Sequence, residues 1–349
     1  MKDFSPAHVL AVAPNWLGDA AMCTPALRAL RRRFPDATLS VAGRDAVCHL
    51  LEGIPWIDRL LPIAPQPGVR EMLQFSRRLR PSRPDLAVVF PHSFRAALLA
   101  RIAGARRRLG YLRDGRGLLL TDHVAPHREN GVITPIYMAF EYLTLVAPLG
   151  CKDDGQGLEL AADPQECETV RCLIPGDGPL VAVAPGAAFG PSKRWSAERF
   201  AAVADALTRE AGARCVLLWG PGEEDTRAAF RAAVQTTVYE CHDGPPAIAR
   251  MKAAIAVSDL LICNDSGPRH VAIAFKKPVV CIMGPTSPRY TDSPWEQGRV
   301  LRVDVDCGPC QKPVCATDHR CMTRIAPADV IAAALQYLLP SASQTAEKA

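Results

Sequence analysis

The 349-residue chain contains no long hydrophobic run. No stretch approaches the ~18 consecutive apolar residues of a membrane-spanning helix, and Met1 to Phe4 lack the basic-then-apolar plan of a signal peptide. Aromatic residues make up only 6%, none interleave with the arginine clusters, and no RNA- or DNA-binding module is recognisable. A GxGxxG dinucleotide fingerprint is also missing. We therefore expect a cytoplasmic protein that does not bind nucleic acid.

The charge is modest overall but unevenly distributed. The net charge is +5, and three arginine clusters lie in the first third of the chain. Such clusters are often solvated helix ends and turns, but three in one half favour a surface that meets an anionic partner such as a phosphorylated lipid. The clusters are Arg31 to Arg33, Arg77 with Arg78 and Arg80, and Arg106 to Arg108.

Thirteen cysteines, an odd number, argue against a secreted disulfide framework. Most stand singly in apolar runs, as buried thiols do in a reducing cytosol. The exception is Cys307-x2-Cys310-x4-Cys315-x5-Cys321, with His319 inside it. A structural zinc site, a disulfide or redox role, and reduced cysteines shaping a loop all fit this pattern, although the spacing is not that of a zinc ribbon.

Short apolar runs alternate with helical patterns in both halves, which predicts an α/β fold with parallel, doubly wound sheets. Polar stretches near 151–157 and 175–179 break the rhythm. We predict an N-terminal domain over 1–160, a connection over 161–178, a C-terminal domain over 179–340 and a disordered tail over 341–349. The predicted strands are 8–13, 38–42, 86–90, 180–184, 215–219, 260–263, 279–283 and 300–305.

The first candidate site follows the first predicted strand, at Gly18 and Asp19. The carboxyl ends of parallel strands line the ligand crevice in open α/β sheets. Gly18 permits close approach of a ligand. Asp19 either caps the next helix or serves as a general base for a hydroxyl group.

Three further candidates follow strands of the second half. Asp265, Ser266, Gly267 and His270 lie at a strand-to-helix turn, where backbone N–H groups bind phosphate. Capping and a hydrogen-bonded core histidine are the alternatives there. The loop from Pro185 to Trp195 offers Gly186, Ser192 and Lys193 for a diphosphate. Glu223 or Glu224 either meets ribose hydroxyls or is merely an acidic residue at a helix start.

Together these segments resemble glycosyltransferase family 9, the ADP-heptose:lipopolysaccharide heptosyltransferases, and within it the heptosyltransferase II branch. The matching stretches run from about residue 8 to 335, in the expected order. They are NWLGDAAMCTPALRALRRRFP, PHSFRAALLARIAGARRRLGY, PGAAFGPSKRWSAERF, NDSGPRHVAIAFKKPVVCIMGPTSP and CGPCQKPVCATDHRCM.

The resemblance implies a GT-B fold, two Rossmann-like domains facing across a cleft, with the donor ADP-heptose in the C-terminal domain. It implies inversion without a catalytic metal, and a lipid A-core acceptor at the inner membrane surface. Asp19 matches the family's proposed general base and Lys193 its diphosphate-binding lysine. Residues Asp265 to His270 match the donor pattern D-[ST]-G-x-x-H, and Glu223 the glutamate near the nucleotide. The sequence departs from the family at Pro268-Arg269, which leaves the helix start there to be tested. A transferase or epimerase for another nucleotide sugar and a non-catalytic nucleotide-binding protein are the alternatives.

Overall fold

The computed structural model describes residues 4–65, 67–241 and 247–339. These residues form two compact units, which divide between Ala161 and Ala162. The predicted tail over 341–349 lies outside the described residues. Within them, no helix is long and apolar enough to cross a membrane.

The first unit is built on a six-stranded parallel sheet with the strand order β3-β2-β1-β4-β5-β6. A small antiparallel hairpin, β7-β8, stands apart from this sheet. The strands are β1 His8–Val12, β2 Thr38–Gly43, β3 Arg59–Pro62, β4 Leu86–Val89, β5 Arg107–Tyr111, β6 Asp122–Val124, β7 Arg128–Glu129 and β8 Val132–Ile133. The helices are α1 Leu17–Met22, α2 Thr24–Arg33, α3 Asp45–Leu51, α4 Val69–Leu79, α5 Phe94–Ile102 and α6 Met138–Val146.

The second unit repeats this arrangement with the order β11-β10-β9-β12-β13-β14, again all parallel. Its strands are β9 Leu180–Ala184, β10 Arg214–Leu217, β11 Val238–Tyr239, β12 Leu260–Asn264, β13 Val279–Met283 and β14 Gly298–Arg302. Its helices are α7 Pro164–Leu173, α8 Ala197–Ala211, α9 Glu224–Ala233, α10 Ile248–Val257, α11 Gly267–Ala274, α12 Pro288–Thr291, α13 Arg320–Thr323 and α14 Pro327–Leu338.

The central strands form where the sequence is continuously apolar. Strands β1, β9, β12 and β13 are buried along their whole length, as expected for strands covered on both faces. Each fully buried Val or Leu side chain stabilises the fold by roughly 1.5–3 kcal/mol relative to exposure. The strand order reverses direction between β1 and β4, and again between β9 and β12. Ligands bind at such switch points, beyond the carboxyl ends of the strands.

Strands β3, β5, β6 and β11 were not predicted. Strands β3 and β11 are short and lie at sheet edges, where little apolar sequence is needed. Strand β5 begins with Arg107 and Arg108, so its sequence reads as a basic cluster rather than as a strand. Burial of β5 starts only at Leu109.

The segment 161–178, predicted as a connection, contains the helix α7. Asp163 caps this helix by accepting a hydrogen bond from the Gln165 amide. The helix packs against α10 of the second unit, and Glu166 forms an ion pair with Arg250. Most of the predicted connection is therefore part of the second unit.

Candidate active site

The turn after β12 places Asp265 at the switch point of the second sheet. Its carboxylate, 2% exposed, accepts hydrogen bonds from Lys193 Nζ at 2.8 Å, Arg269 Nη1 at 2.9 Å and Thr286 Oγ1 at 2.7 Å. Burial by itself would raise the pKa of Asp265, but the charges of Lys193 and Arg269 hold that pKa well below its usual range. Asp265 is thus a fixed anion that orients the lysine.

The helix α11 begins at Gly267, with Pro268 in its first turn. The departure at Pro268-Arg269 therefore leaves the helix start intact, because proline is favoured at the first helical position. Arg269 is fully buried and bonds both Asp265 and the Glu296 carboxylate. The sequence analysis missed this structural role, since an arginine within an apolar helix gives no sign of its distant partners.

Two polar side chains at the start of α11 have buried atoms without a hydrogen-bond partner in the described protein. These atoms are Ser266 Oγ and His270 Nδ1. Burial, followed by the nearby charge of Arg269, lowers the pKa of His270 to about 3, so the ring is neutral at physiological pH. The first turn of a helix also leaves backbone N–H groups without intrahelical acceptors. This set of unsatisfied groups suits an anionic ligand.

The loop after β9 carries Lys193 to the same place. Its Nζ also donates to the Asp265 carbonyl oxygen at 2.8 Å, and it lies 5.4 Å from the centre of the Phe189 ring. Asn264, fully buried, ties the loop to β12 by donating to the Pro185 carbonyl and accepting from the Trp195 amide. The lysine is therefore held in place from both sides.

Glu223 lies against the same loop. A Cβ on Gly186 would come within 2.0 Å of the Glu223 carboxyl group, so only glycine allows this approach. Glu223 accepts a hydrogen bond from the Gly220 amide at 2.9 Å, and burial raises the pKa of its carboxyl group. Glu224 is exposed by comparison. The structure thus places Glu223, the preferred candidate, beside the Lys193 loop.

In the first unit, Asp19 lies in the first turn of α1, directly beyond β1. It is half-buried. Burial raises the pKa of Tyr142 well above its usual value, and the charge of Asp19 is the next cause. Asp19 is not the residue that caps α1, because Trp16 occupies that position. The place of Asp19 in the first turn also suits an acidic residue that stabilises the helix start, so its role as a general base stays a prediction.

Other polar groups gather near this end of the first sheet. His92 Nε2 lies 2.7 Å from a Glu141 carboxylate oxygen, and the Tyr111 hydroxyl donates to the Glu141 carbonyl at 2.6 Å. Arg113 Nη1 lies 3.3 Å from His92 Nδ1. His92 and Arg113 follow β4 and β5, and neither was predicted as a site residue, because only the fold brings the two side chains together.

The sequence profile of glycosyltransferase family 9 (heptosyltransferase) matches residues 72–320. The chain belongs to glycosyltransferase family 9. It is 30% identical over 308 residues to lipopolysaccharide heptosyltransferase 2 of Salmonella typhimurium, with 84% of this chain and 88% of that protein covered. It is 28% identical over 310 residues to the Escherichia coli enzyme of the same name, with the same shares covered.

The structure of E. coli ADP-heptose LPS heptosyltransferase II matches with a TM-score of 0.79 and 26% sequence identity. The match covers 98% of this chain and 100% of that one. The family 9 chain is thus a glycosyltransferase, and the predicted α/β fold with two parallel-sheet domains is confirmed.

Ser192 and Gly18 differ in their surroundings from the other predicted donor-site residues of the family 9 enzyme. Ser192 is buried, and its hydroxyl donates to the Lys312 carbonyl at 2.5 Å, so its one proton is engaged within the protein. Gly18 lies in the first unit beside Asp19, whereas the other predicted donor residues lie in the second. Its contact with the donor stays a prediction.

The four-cysteine segment of the family 9 enzyme contacts the Lys193 turn directly. The Ser192 amide donates to the Pro313 carbonyl, and His319 Nε2 lies 2.6 Å from the Ser192 carbonyl oxygen. Gly190 has φ 151°, and a Cβ there would lie 2.4 Å from the Pro313 carbonyl oxygen. The segment therefore supports the turn that carries Lys193.

The four cysteines and His319 line one cavity of about 530 Å³. All thirteen cysteines are free thiols. Burial raises the pKa of Cys321, and the other three thiols of the segment raise it further. Across the described ranges, no three His, Cys, Asp or Glu side chains converge closely enough to hold a metal ion. The structural zinc site therefore stays one of the three alternatives for this segment.

The first two arginine clusters precede β2 and β4 and the third begins β5, so all three lie at the amino edge of the first sheet, opposite Asp19. Arg31 pairs with Asp58, Arg32 with Asp154 and Arg107 with Asp122. Arg33 and Arg108 donate to backbone carbonyls. Most of these guanidinium groups bond carboxylates or backbone carbonyls of their own unit, and they lie far along the strands from Asp19. That the clusters form the surface for an anionic partner stays a prediction.

Proposed function

We propose that this chain is an inverting glycosyltransferase that transfers heptose from ADP-heptose to the heptosyl-Kdo-lipid A inner core of lipopolysaccharide. The observation that supports it most is the Lys193–Asp265 pair at the second switch point, beside the unsatisfied Ser266 and His270 atoms. A cation and free donors at a helix start suit the diphosphate of a nucleotide sugar. The names of the relatives supply the choice of sugar.

In the proposed reaction, Asp19 takes the proton of the acceptor hydroxyl. The hydroxyl oxygen then forms a bond to the anomeric carbon of heptose, and the bond from that carbon to the diphosphate oxygen breaks. The electron pair leaves with ADP. Lys193 and the first amides of α11 offset the charge that develops on the leaving diphosphate, while Glu223 is placed to accept hydrogen bonds from the ribose hydroxyls.

The acceptor is anchored in lipid, so we propose that the enzyme works in the cytoplasm, peripherally at the inner membrane surface. Arginines near an anionic membrane each contribute about 1 kcal/mol to such binding. Arg106, whose side chain is 81% exposed, is one candidate for this contact.

We also propose that transfer needs no metal ion, because two protein features already face the leaving group: the Lys193 cation and the α11 amides. At the cysteine segment, we propose reduced thiols that shape a supporting loop. A structural zinc ion is the alternative there, since all four thiols line one cavity.

The experiment that tests the function measures ADP release by purified protein with ADP-heptose and with other nucleotide sugars. Defined heptosylated lipid A-core saccharides serve as acceptors, and a reaction without acceptor is the control. We expect release with ADP-heptose only when the acceptor is present. Faster transfer from another nucleotide sugar would identify a different transferase, and conversion of the sugar without an acceptor would identify an epimerase. Binding of ADP-heptose without turnover would identify a non-catalytic nucleotide-binding protein.

A further inference from the structure

A cavity of about 450 Å³ opens at the switch point of the first sheet. Its floor is formed by the carboxyl ends of β1 and β2, at Val12, Ala13 and Gly43. Its walls include Asn15, which follows β1, and Ser93, which follows β4. The cavity lies entirely in the first unit, at the same sheet edge as Asp19.

Two arginines line this cavity, Arg44 after β2 and Arg95 in the first turn of α5. Arg44 Nε is buried and has no hydrogen-bond partner. Among the described residues, neither arginine forms an ion pair, and no carboxylate lines the cavity. A buried guanidinium nitrogen without an acceptor is costly unless a ligand supplies one.

The surroundings of Arg44 and Arg95 differ from those of the three arginine clusters at the amino edge of the first sheet. Most guanidinium groups of those clusters bond carboxylates and carbonyls of their own unit, whereas Arg44 and Arg95 line one cavity that no carboxylate of the described residues lines. An anionic group of a sugar would supply the acceptor that Arg44 Nε lacks.

We infer that Arg44 and Arg95 form an oxyanion-binding subsite for an acidic group, carboxylate or phosphate, of the acceptor saccharide. This inference rests on the proposed function and names the acceptor contact that the function requires. Arginine recognises both groups through paired N–H donors. The subsite holds the acceptor at the edge of the sheet where Asp19 meets its hydroxyl.

The test compares Arg44→Gln and Arg95→Gln with the wild type in steady-state transfer. Each variant is expected to raise the acceptor KM about 10-fold or more, because a hydrogen bond to a charged group is lost, with the donor KM and kcat within about 2-fold. Arg44→Lys, which keeps the charge but loses the paired donors, should give an intermediate KM. Arg209→Gln, at an exposed arginine of the second unit, is the control and should leave the acceptor KM unchanged. Thermal melting verifies that each variant is folded.

Two modified acceptors distinguish the anionic sources: one with its phosphates removed and one with its carboxylates reduced to alcohols. The modification that removes the bound group should raise the wild-type KM and abolish the difference between wild type and Arg44→Gln. An acceptor KM that stays at the wild-type value in both glutamine variants would overturn the subsite while leaving the proposed function standing. Failure of the wild type to transfer heptose to any acceptor would instead overturn the proposed function, and this inference with it.

Discussion

At the scale of single residues, Asp45 is a matched control for Asp19, because each is an acid in the first turn of a helix that follows a strand. If Asp19 is the general base, Asp19→Asn should lower kcat about 10²- to 10⁴-fold and leave ADP-heptose affinity nearly unchanged. Asp45→Asn should affect only stability, through the helix dipole. Transfer rates and calorimetric donor binding measure both effects. Near-normal turnover in Asp19→Asn would remove Asp19 from the mechanism.

Lys193 is expected to act on the donor both before and during the reaction. Lys193→Ala should weaken ADP binding about 10- to 100-fold, the loss of a charge-assisted hydrogen bond, and should also lower kcat, because the cation stabilises the leaving diphosphate. Titration calorimetry with ADP and transfer rates are the measurements. Lys152→Ala, an exposed lysine of the other unit, is the control. Unchanged ADP affinity in Lys193→Ala would contradict its position at the donor site.

The buried His270 of the donor site should make the free energy of unfolding depend on pH. Its pKa is about 3 in the folded chain against an ordinary histidine value of 6.5, so below pH 6.5 the unfolded chain binds a proton that the folded chain does not. Stability is therefore complete above pH 6.5 and falls as the pH drops from 6.5 toward 3, by up to about 1.4 kcal/mol per pH unit. Urea unfolding of wild type and His270→Gln at pH 7, 6 and 5 measures this difference. His49→Gln, on the surface, should retain the wild-type slope; an equal slope in His270→Gln would disprove the assignment.

At the scale of elements, we expect the cysteine segment to affect ADP binding as well as stability, because it bonds the amide, the carbonyl and the hydroxyl of Ser192. Replacing Cys310 and Cys315 with serine should lower the melting temperature. His319→Ala should weaken ADP binding several-fold through the loss of one neutral hydrogen bond, worth about 0.5–1.5 kcal/mol, without changing the acceptor KM.

Elemental analysis of protein purified without chelators then identifies what stabilises this loop. About one zinc per chain would favour the metal site, and no metal with free thiols would favour packing alone. Wild-type ADP affinity in His319→Ala would show that the Lys193 turn holds its shape without the segment.

The elements that the sequence predicts well are those whose apolar pattern has a single explanation. Strands β9, β12 and β13 were predicted to within a residue, because each is a continuously buried apolar run with clear ends. Motif residues such as Asp265 and Lys193 were identified together with their strands. The role of Arg269 was missed because its partner Glu296 is distant in sequence. Arg44 and Arg95 were not singled out because only the fold brings them to one cavity. The bond from the Ser192 hydroxyl to the Lys312 carbonyl could not be foreseen, because a loop serine gives no indication of which way its hydroxyl points.

At the scale of the whole molecule, the two units repeat one strand order, and each places its candidate residues at its own switch point. In the proposed mechanism, Asp19 of the first unit and Lys193 of the second act without a metal ion. Incubation with EDTA should therefore leave the initial rate of transfer unchanged, with a magnesium-dependent glycosyltransferase as the assay control. Loss of activity that magnesium or manganese specifically restores would contradict the metal-free mechanism.

The Lys193–Asp265 pair also bears on how the reaction cycle ends. Asp265 neutralises the lysine before any donor arrives, so the diphosphate shares this cation with an internal anion. Once heptose has left, the same carboxylate competes with product ADP for Lys193. We infer that the protein gives up some affinity for nucleotide in exchange for rapid product release. Stopped-flow measurement should give an ADP off-rate well above kcat, and an off-rate equal to kcat, which would make product release the slowest step, would refute this.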